Sequence, residues 1–357
     1  KYNLLDLTLK RLLKISEVSN FMIVTNEEYR FHVHESLQKL SISGKCILEP
    51  IGKNTTAAIY IAAKLSKNNA DLLILPSDHF IKNEDDFINT INIAHQRTKK
   101  NDWVVFGSKP HYPSTGYGYI KLKNEEKNNA FFKVERFEEK PNEKKAINFI
   151  KNDFLWNSGI FLATRDVIIK SIKKHAPKVA EACDIALKNV IKKRGSGDIS
   201  FKETPFKNIP SISIDYSVIE KIKNVSCYPI NCGWNDVGSW DSLSDLSKLK
   251  KTDKIIEFSS HNNFIRTSKR LIATIGVENL LIIDTDDATL IAKKGQSEEV
   301  KNIVNSLIKN NMKEAFENNY ELRPWGMFEN LSETRECKVK RITVLPYKRL
   351  SKQYHNF

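Results

Sequence analysis

Between residues 4 and 108 the apolar positions alternate between two spacings. In LLDLTLKRLLKIS (4–16) they recur at helical intervals, and NFMIVTN (20–26) is a continuous buried-strand run. YRFHVHESLQKL reads as helix, KCILEP (45–50) as strand, TTAAIYIAAKLSK (55–67) as a strongly apolar helix and DLLILPSDH (71–79) as strand. EDDFINTINIAHQRTKKN adds a helix and WVVFGS (103–108) a strand. Strands separated by helices with short breaks predict parallel βαβ units in an α/β domain. In such sheets ligands collect beyond the carboxyl ends of the strands.

The pattern changes near residue 254. KIIEFSS, NNFIRTS, RLIATIGV, NLLIIDT and ATLIAKK are short strand-like runs separated by turns, and no helical period returns until SEEVKNIVNSLIKNN (297–311). This predicts a small all-β or β-solenoid domain closed by a helix. Residues 312–322 are polar and linker-like, and CKVKRITVLPYKRLSKQYH then alternates as strands, the start of a third, β-type domain. The predicted boundaries are 1–250, 251–312 and 313–357.

Composition narrows the class. The chain has 357 residues, 40% hydrophobic and 28% charged, which is globular and long enough for two or three domains. Its longest apolar runs are too short to span a bilayer, so no membrane partner is expected. Five cysteines without a CxxC pair argue against a disulfide framework and favour a reducing, cytoplasmic setting. The net charge of +14 suggests an anionic partner. The lysines are dispersed beside asparagines, with no basic run or helix-turn-helix pattern, so a small anionic substrate fits and nucleic acid is not expected.

Several segments carry polar residues where chemistry is natural. LPSDH ends a predicted strand in Asp78, a carboxylate suited either to a hard divalent cation or to capping the next helix; His79 reads as structural. STGYGYI holds Gly116 and Gly118, which allow close backbone approach or a plain hairpin turn. FEEKP pairs Glu139 with Lys140, either a polyol and phosphate contact or a surface ion pair, and FLWNSGIF sets Asn157 in an apolar run that demands a partner. EPIGKNTTAAI brings Asn54 and Thr55 to a helix start, where free amides bind anions and caps are common. GWNDVGSW holds Asp236 between two glycines and two tryptophans, as a turn residue or a carboxylate aimed into a pocket. Walker, GxGxxG, HExxH and GxSxG motifs are absent.

In chain order, EPIGKNTTAAI, LPSDH, TGYGYI, FEEKP, FLWNSGIF, SIDYSVIEK (213–221), GWNDVGSW and LLIIDTDDATLIA form a set. The chain resembles the mannose-1-phosphate guanylyltransferases, and RPWG with KVKRITVLPYKRLSKQYH resembles the start of the cupin-type mannose-6-phosphate isomerase domain of the bifunctional members. The resemblance implies a Rossmann-like nucleotidyltransferase domain with a mixed central sheet, a left-handed β-helix-like domain and the beginning of a cupin. It implies GTP and mannose 1-phosphate as substrates, GDP-mannose as product, and Mg²⁺ held by Asp78 and Asp236. Lys140 matches the lysine on the sugar phosphate. Glu139, Asn157 and the Gly118 backbone match mannose contacts, and Asn54 and Thr55 fall in the guanine segment. Gln353 and His355 match the first two ligands of an isomerase zinc site. Family members often dimerise, and 254–293 is the expected interface.

Three departures accompany the resemblance. The family's opening strand and Gly-rich GGxGTRLxP-type loop belong before Lys1, and both ends of the chain read as incomplete. The usual NTAPA is NTTAA, with Thr56 and Ala57 at the changed positions, which opens the choice of base. The remaining cupin ligands lie outside the chain. The competing readings are the same fold with another nucleotide or sugar, a non-catalytic sugar-nucleotide-binding protein, and an isomerase alone.

Overall fold

A computed structural model describes residues 2–98, 102–123, 131–192, 197–246, 253–316, 320–323, 325–334 and 336–350. The chain folds into two compact units, Lys1–Asp236 and Val237–Phe357.

In the first unit the helices are α1 (Leu4–Leu12), α2 (Arg30–Lys39), α3 (Asn54–Leu65), α4 (Glu84–Thr98), α5 (Glu143–Lys151), α6 (Arg165–His175), α7 (Pro177–Lys188) and α8 (Glu203–Lys207). The strands are β1 (Phe21–Asn26), β2 (Gly44–Glu49), β3 (Asp71–Ile74), β4 (Phe80–Ile81), β5 (Trp103–Ser108), β6 (Gly118–Leu122) and β7 (Phe132–Glu139). They continue with β8 (Leu155–Thr164), β9 (Val190–Lys192), β10 (Ile199–Phe201), β11 (Val225–Ile230) and β12 (Trp234–Asn235). Local chemistry starts the first helix. Asn3 and Asp6 form a reciprocal capping box, and Lys39 on α2 donates to the buried Asp6 carboxylate at 2.6 Å, tying the two helices together.

Two larger sheets form, ordered β1-β2-β10-β9 and β3-β8-β5-β11-β7-β6. The first two strands are parallel, as the alternation predicts, and β5 and β11 are too. The second sheet is mixed, as the resemblance implies. Strand β8 runs antiparallel to β3, β5 and β6, and β7 antiparallel to β6 and β11. The period of two sorts the core: Trp103, Val105 and Phe161 face one cluster, Val104, Phe106 and Leu162 the other. A strand covered on both faces needs apolar residues at every position, which is why WVVFGS reads as a continuous run. Burial of such a Val or Phe side chain contributes ~1.5–3 kcal/mol.

The second unit begins with α9 (Trp240–Leu246) and continues with β13 (Ile255–Phe258), β14 (Phe264–Arg266), β15 (Ile272–Ile275), β16 (Leu280–Asp284), β17 (Thr289–Lys293) and α10 (Val300–Lys309). Strand β13 pairs in parallel with β15, and β14 with β16. Side chains 17 positions apart bond along the same ladder, Asn262 to Asn279 and Thr267 to Asp284. One turn of coil therefore takes 17 residues, a β-solenoid. The predicted boundary at 250 and the division at 236 differ for a packing reason. Trp240 and Leu243 rest on Phe264, Leu281 and Ile283, and Asp241 accepts from the Gly295 and Ser297 amides. The sequence WDSLSDL thus serves the second unit. Strands β18 (Tyr320–Arg323), β19 (Gly326–Glu333) and β20 (Lys338–Val344) follow as an antiparallel sheet.

Candidate active site

A short ladder brings Asp78 and Asp236 to one end. Strands β4 and β12 pair antiparallel, Asn235 opposite Phe80 and Trp234 opposite Ile81, so Asp78 and Asp236 flank the same end of the ladder. His79 feels the negative charge of both aspartates, yet burial, the larger influence, pushes its pKa below the ordinary value. The neutral ring accepts a hydrogen bond from Trp234 Nε1 at 3.1 Å through Nδ1, which makes it a support and not a competing cation. Tyr117 donates to Asp236 Oδ1 at 2.6 Å and packs against Trp234 and Trp156, with ring centres 5.7 and 4.8 Å away. Gly233 has φ +63°, and a Cβ there would press into the Lys82 stem. Directly after Asp236, Val237 has φ +53°. A β-branched residue in the left-handed region is strained, and such strain gathers at functional positions.

The second group lies where β6, β7 and β8 adjoin. Gly118 is opposite Glu139, and Tyr119 opposite Trp156, which brings Gly118, Glu139 and Asn157 together. A methyl at Gly118 would collide with the Glu139 carboxylate, so glycine is required for that carboxylate to lie across the strand. Burial, with the Asp215 and Glu220 charges added, pushes Glu139 up to about 7 against the pull of Lys140. Its Oε2 is buried without a hydrogen-bond partner. Lys140 follows with φ +48° and Nζ 3.8 Å from Glu139 Oε1, its side chain about half exposed. The left-handed turn ends β7, swings the lysine off the sheet and is fixed by its amide donating to Tyr117 O at 3.2 Å. Asn157 is buried and donates to Asp215 Oδ1 at 2.8 Å.

The helix-start pair behaves differently. Asn54 is exposed in the left-handed region, φ +64°, with Oδ1 turned back to accept from the Thr55 amide. The Thr55 hydroxyl accepts from the Ile214 amide at 2.8 Å, so it fastens α3 to the 212–217 segment. Gln353 and His355 lie outside the described residues. Among the described residues, His34, Cys46 and Asp198 are the group of His, Cys and acidic donors close enough to share a metal, all within 4.8 Å. Their 2.9 Å His34–Asp198 bond already serves to hold α2 on the sheet. The two carboxylates at the Asp78–Asp236 end are oxygen donors, the kind a hard cation such as Mg²⁺ takes.

Residues 1–253 match the nucleotidyl transferase family, 253–307 the MannoseP isomerase/GMP-like beta-helix domain, and 309–357 the mannose-6-phosphate isomerase C-terminal family. The xanthan biosynthesis protein XanB of Xanthomonas campestris pv. campestris (strain B100) is 37% identical over 345 residues, 94% of this chain and 73% of XanB. A mannose-1-phosphate guanylyltransferase of Salmonella montevideo is 35% identical over 370 residues, 99% of this chain and 77% of that protein. The chain belongs to the mannose-1-phosphate guanylyltransferase family of nucleotidyl transferases. A Thermus thermophilus structure described as mannose-1-phosphate geranyltransferase superposes with TM-score 0.70 and 25% identity, over 85% of this chain and 89% of that one. A Helicobacter pylori structure described as mannose-6-phosphate isomerase gives TM-score 0.60 and 30% identity, over 65% and 90%.

Within this family frame the altered NTTAA segment has a structural account. The Thr56 hydroxyl is fully buried, donating to Ile212 O and bonded to Ser217 Oγ, both at 2.8 Å. The added polar atom is absorbed inside the fold. Three polar residues were missed in the sequence. Tyr117 stood inside a quoted motif, but nothing local signals a partner 119 positions away. Asp215 stood in SIDYSVIEK without a role. Glu49 ends β2 beside Pro50 and was given no role, yet it is buried, its Oε1 lacks a partner, and desolvation pushes it up to about 7.

Proposed function

We propose that the chain transfers GMP from GTP to α-D-mannose 1-phosphate, giving GDP-mannose and pyrophosphate. The observation that carries this reading is the convergence of the family's motif residues into two adjoining groups, each beside a strained non-glycine backbone at Val237 and Lys140. A sugar-phosphate oxygen attacks the α-phosphorus of GTP in line. The new P–O bond forms there as the bond to the β-phosphate bridging oxygen breaks, and pyrophosphate departs with that electron pair. No side-chain nucleophile is required.

Two anions must approach each other, so the site has to supply positive charge and alignment. Lys140, turned off the end of β7, receives the sugar phosphate. Glu139, Asn157 and the Gly118 backbone receive the sugar hydroxyls, and the unpartnered Glu139 Oε2 is a ready acceptor. Asp78 and Asp236 would hold Mg²⁺, which when bound supplies charge neutralisation at the phosphates. Tyr117 keeps the Asp236 carboxylate oriented. Asn54 stands at the entry of α3 for the nucleotide, while Thr55 serves by fixing that helix.

No helix among the described residues is long and apolar enough to cross a membrane. We assign the reaction to the cytoplasm on the strength of the unpaired cysteines, four of them buried. The match over 309–357 supports a second activity for the full-length polypeptide, interconversion of mannose 6-phosphate and fructose 6-phosphate; zinc as its metal rests on the likeness of Gln353 and His355 to the family's ligands alone. A homodimer through the solenoid completes the reading.

The test is product formation from every pairing of GTP, ATP or UTP with mannose 1-phosphate or glucose 1-phosphate, using full-length protein. GDP-mannose as the dominant product supports the assignment. A preference for another pair replaces the substrate while keeping the reaction, and folded protein inert with all pairs points to a binding protein.

A further inference from the structure

The segment SIDYSVIEK contains a feature that the catalytic reading leaves unused. Residues Asp215–Ile219 form a single π-helical turn, a rare geometry that recurs at functional sites. Its first carboxylate accepts from Asn157 Nδ2 at 2.8 Å. The Glu220 carboxylate, directly after the turn, accepts from the Glu139 backbone amide at 3.4 Å. One short turn therefore holds the side chain of one residue assigned to the sugar and the backbone of the other.

The bond to Asp215 also decides which way the Asn157 amide faces. Asn157 Oδ1 accepts from the Gly159 amide at 3.3 Å, so both ends of the carboxamide are engaged. A carboxamide has two N–H donors and an oxygen with two lone pairs. One donor and one lone pair remain, in fixed directions. The Gly159 amide can only donate and Asp215 takes the NH₂ end, so a flipped carboxamide would set donor against donor at Gly159 and lose the Asp215 bond. Burial raises the Asp215 pKa, while the Asn157 bond and the Lys140 charge pull the other way.

We propose that Asp215 is a positioning residue for sugar recognition: it locks the Asn157 carboxamide in one orientation, so that a hydroxyl acceptor and a hydroxyl donor of a hexose 1-phosphate are read in a fixed geometry beside Glu139. This rests on reading the site as that of a sugar 1-phosphate. Asp215 makes no contact with the reacting phosphates in this account, so its loss acts on sugar binding and not on the chemical step.

The experiment compares Asp215→Ala and Asp215→Asn with wild type, in steady state, varying the sugar 1-phosphate and GTP separately. Losing a bond to a charged acceptor is expected to raise the sugar KM of Asp215→Ala about tenfold or more. The GTP KM and kcat stay within about twofold, and preference between epimeric sugars narrows. Asp215→Asn keeps an acceptor oxygen but can also donate to a flipped Asn157, so it is expected to recover the sugar KM only in part. An Asp215→Ala enzyme with wild-type sugar KM overturns the proposal. So does a variant pair equally damaged in both KM values and in melting temperature, which marks a structural role. If wild type prefers another sugar 1-phosphate, the substrate assignment fails and the same comparison is made on that sugar. If wild type turns over nothing, calorimetric binding of mannose 1-phosphate to wild type and Asp215→Ala replaces kinetics, and equal or absent binding overturns the proposal.

Discussion

Glu49→Gln is expected to stabilise the first unit in a manner that depends on pH. Glu49 is 9% exposed at the end of β2, and burial alone pushes its carboxyl from the ordinary 4.5 to about 7. The folded state therefore holds its proton more tightly than the unfolded chain does. The stability this contributes is fully present below pH 4.5 and is lost as pH rises through about 7. At about 1.4 kcal/mol per pH unit, the difference amounts to about 3 kcal/mol between pH 4.5 and pH 9. Glutamine keeps the shape and cannot ionise. Hydrogen exchange of peptides spanning Gly44–Glu49, compared between the two proteins at equal pH, cancels the intrinsic exchange chemistry. The variant is expected to exchange at close to the wild-type rate at about pH 4 and about 300-fold more slowly at about pH 9. A rate ratio that does not change with pH refutes the reasoning, because a neutral loss or gain of packing carries no pH dependence.

Two further substitutions probe the site. Gly118→Ala forces the Glu139 carboxylate out of its place across the strand while leaving the sheet paired. The sugar 1-phosphate KM is expected to rise at least about tenfold, with a melting temperature within a few degrees of wild type because Glu139 can swing toward solvent. A melting temperature lowered far beyond that would mean the strands themselves must separate. Tyr117→Phe removes the hydroxyl on Asp236 and keeps the aromatic packing on Trp156 and Trp234. Here kcat/KM is expected to fall about tenfold, in keeping with one lost bond to a carboxylate; unchanged kinetics would show that Asp236 needs no such support.

Much of the fold was legible where one physical cause dominates. The runs CILE and WVVFGS are strands because sheet burial on both faces leaves little room for polar positions, while FMIVTN is a half-buried edge strand. The solenoid strands were visible one by one, but their 17-residue coil was not, since it is written in ladders such as Asn262–Asn279 and not in repeated sequence. The alternation over 4–108 suggested parallel units, and the mixed sheet was expected only from the resemblance; it is made by β8, one ten-residue strand that meets β3, β5 and β6 in antiparallel register. Non-local pairing of that kind has no signature in spacing. In DLLILPSDH, Pro76 lacks an amide hydrogen, and the strand stops at Ile74; Phe80–Ile81 is a separate short strand paired with β12.

The site divides in the same way. Motif residues were legible as types, but their supports were not. Asp215 reaches Asn157 across 58 positions, and Tyr117 reaches Asp236 across 119. Glu49 could be found only once its burial was known. Thr55 illustrates the converse: a residue placed in the nucleotide segment by resemblance spends its hydroxyl on the Ile214 amide. The tryptophans of GWNDVGSW part company as well. Trp234 backs His79 beside Asp236, while Trp240 packs in the second unit.

The most direct test follows pyrophosphate release from GTP and mannose 1-phosphate by full-length protein, stripped with EDTA and then titrated with Mg²⁺, for wild type and Asp236→Ala. Wild type is expected to be silent without metal and to recover fully with Mg²⁺, while the variant stays at least about 100-fold below it at every concentration. Release that persists in the stripped enzyme, or an Asp236→Ala curve that overlays wild type, would contradict the assignment of Asp78 and Asp236 to the metal.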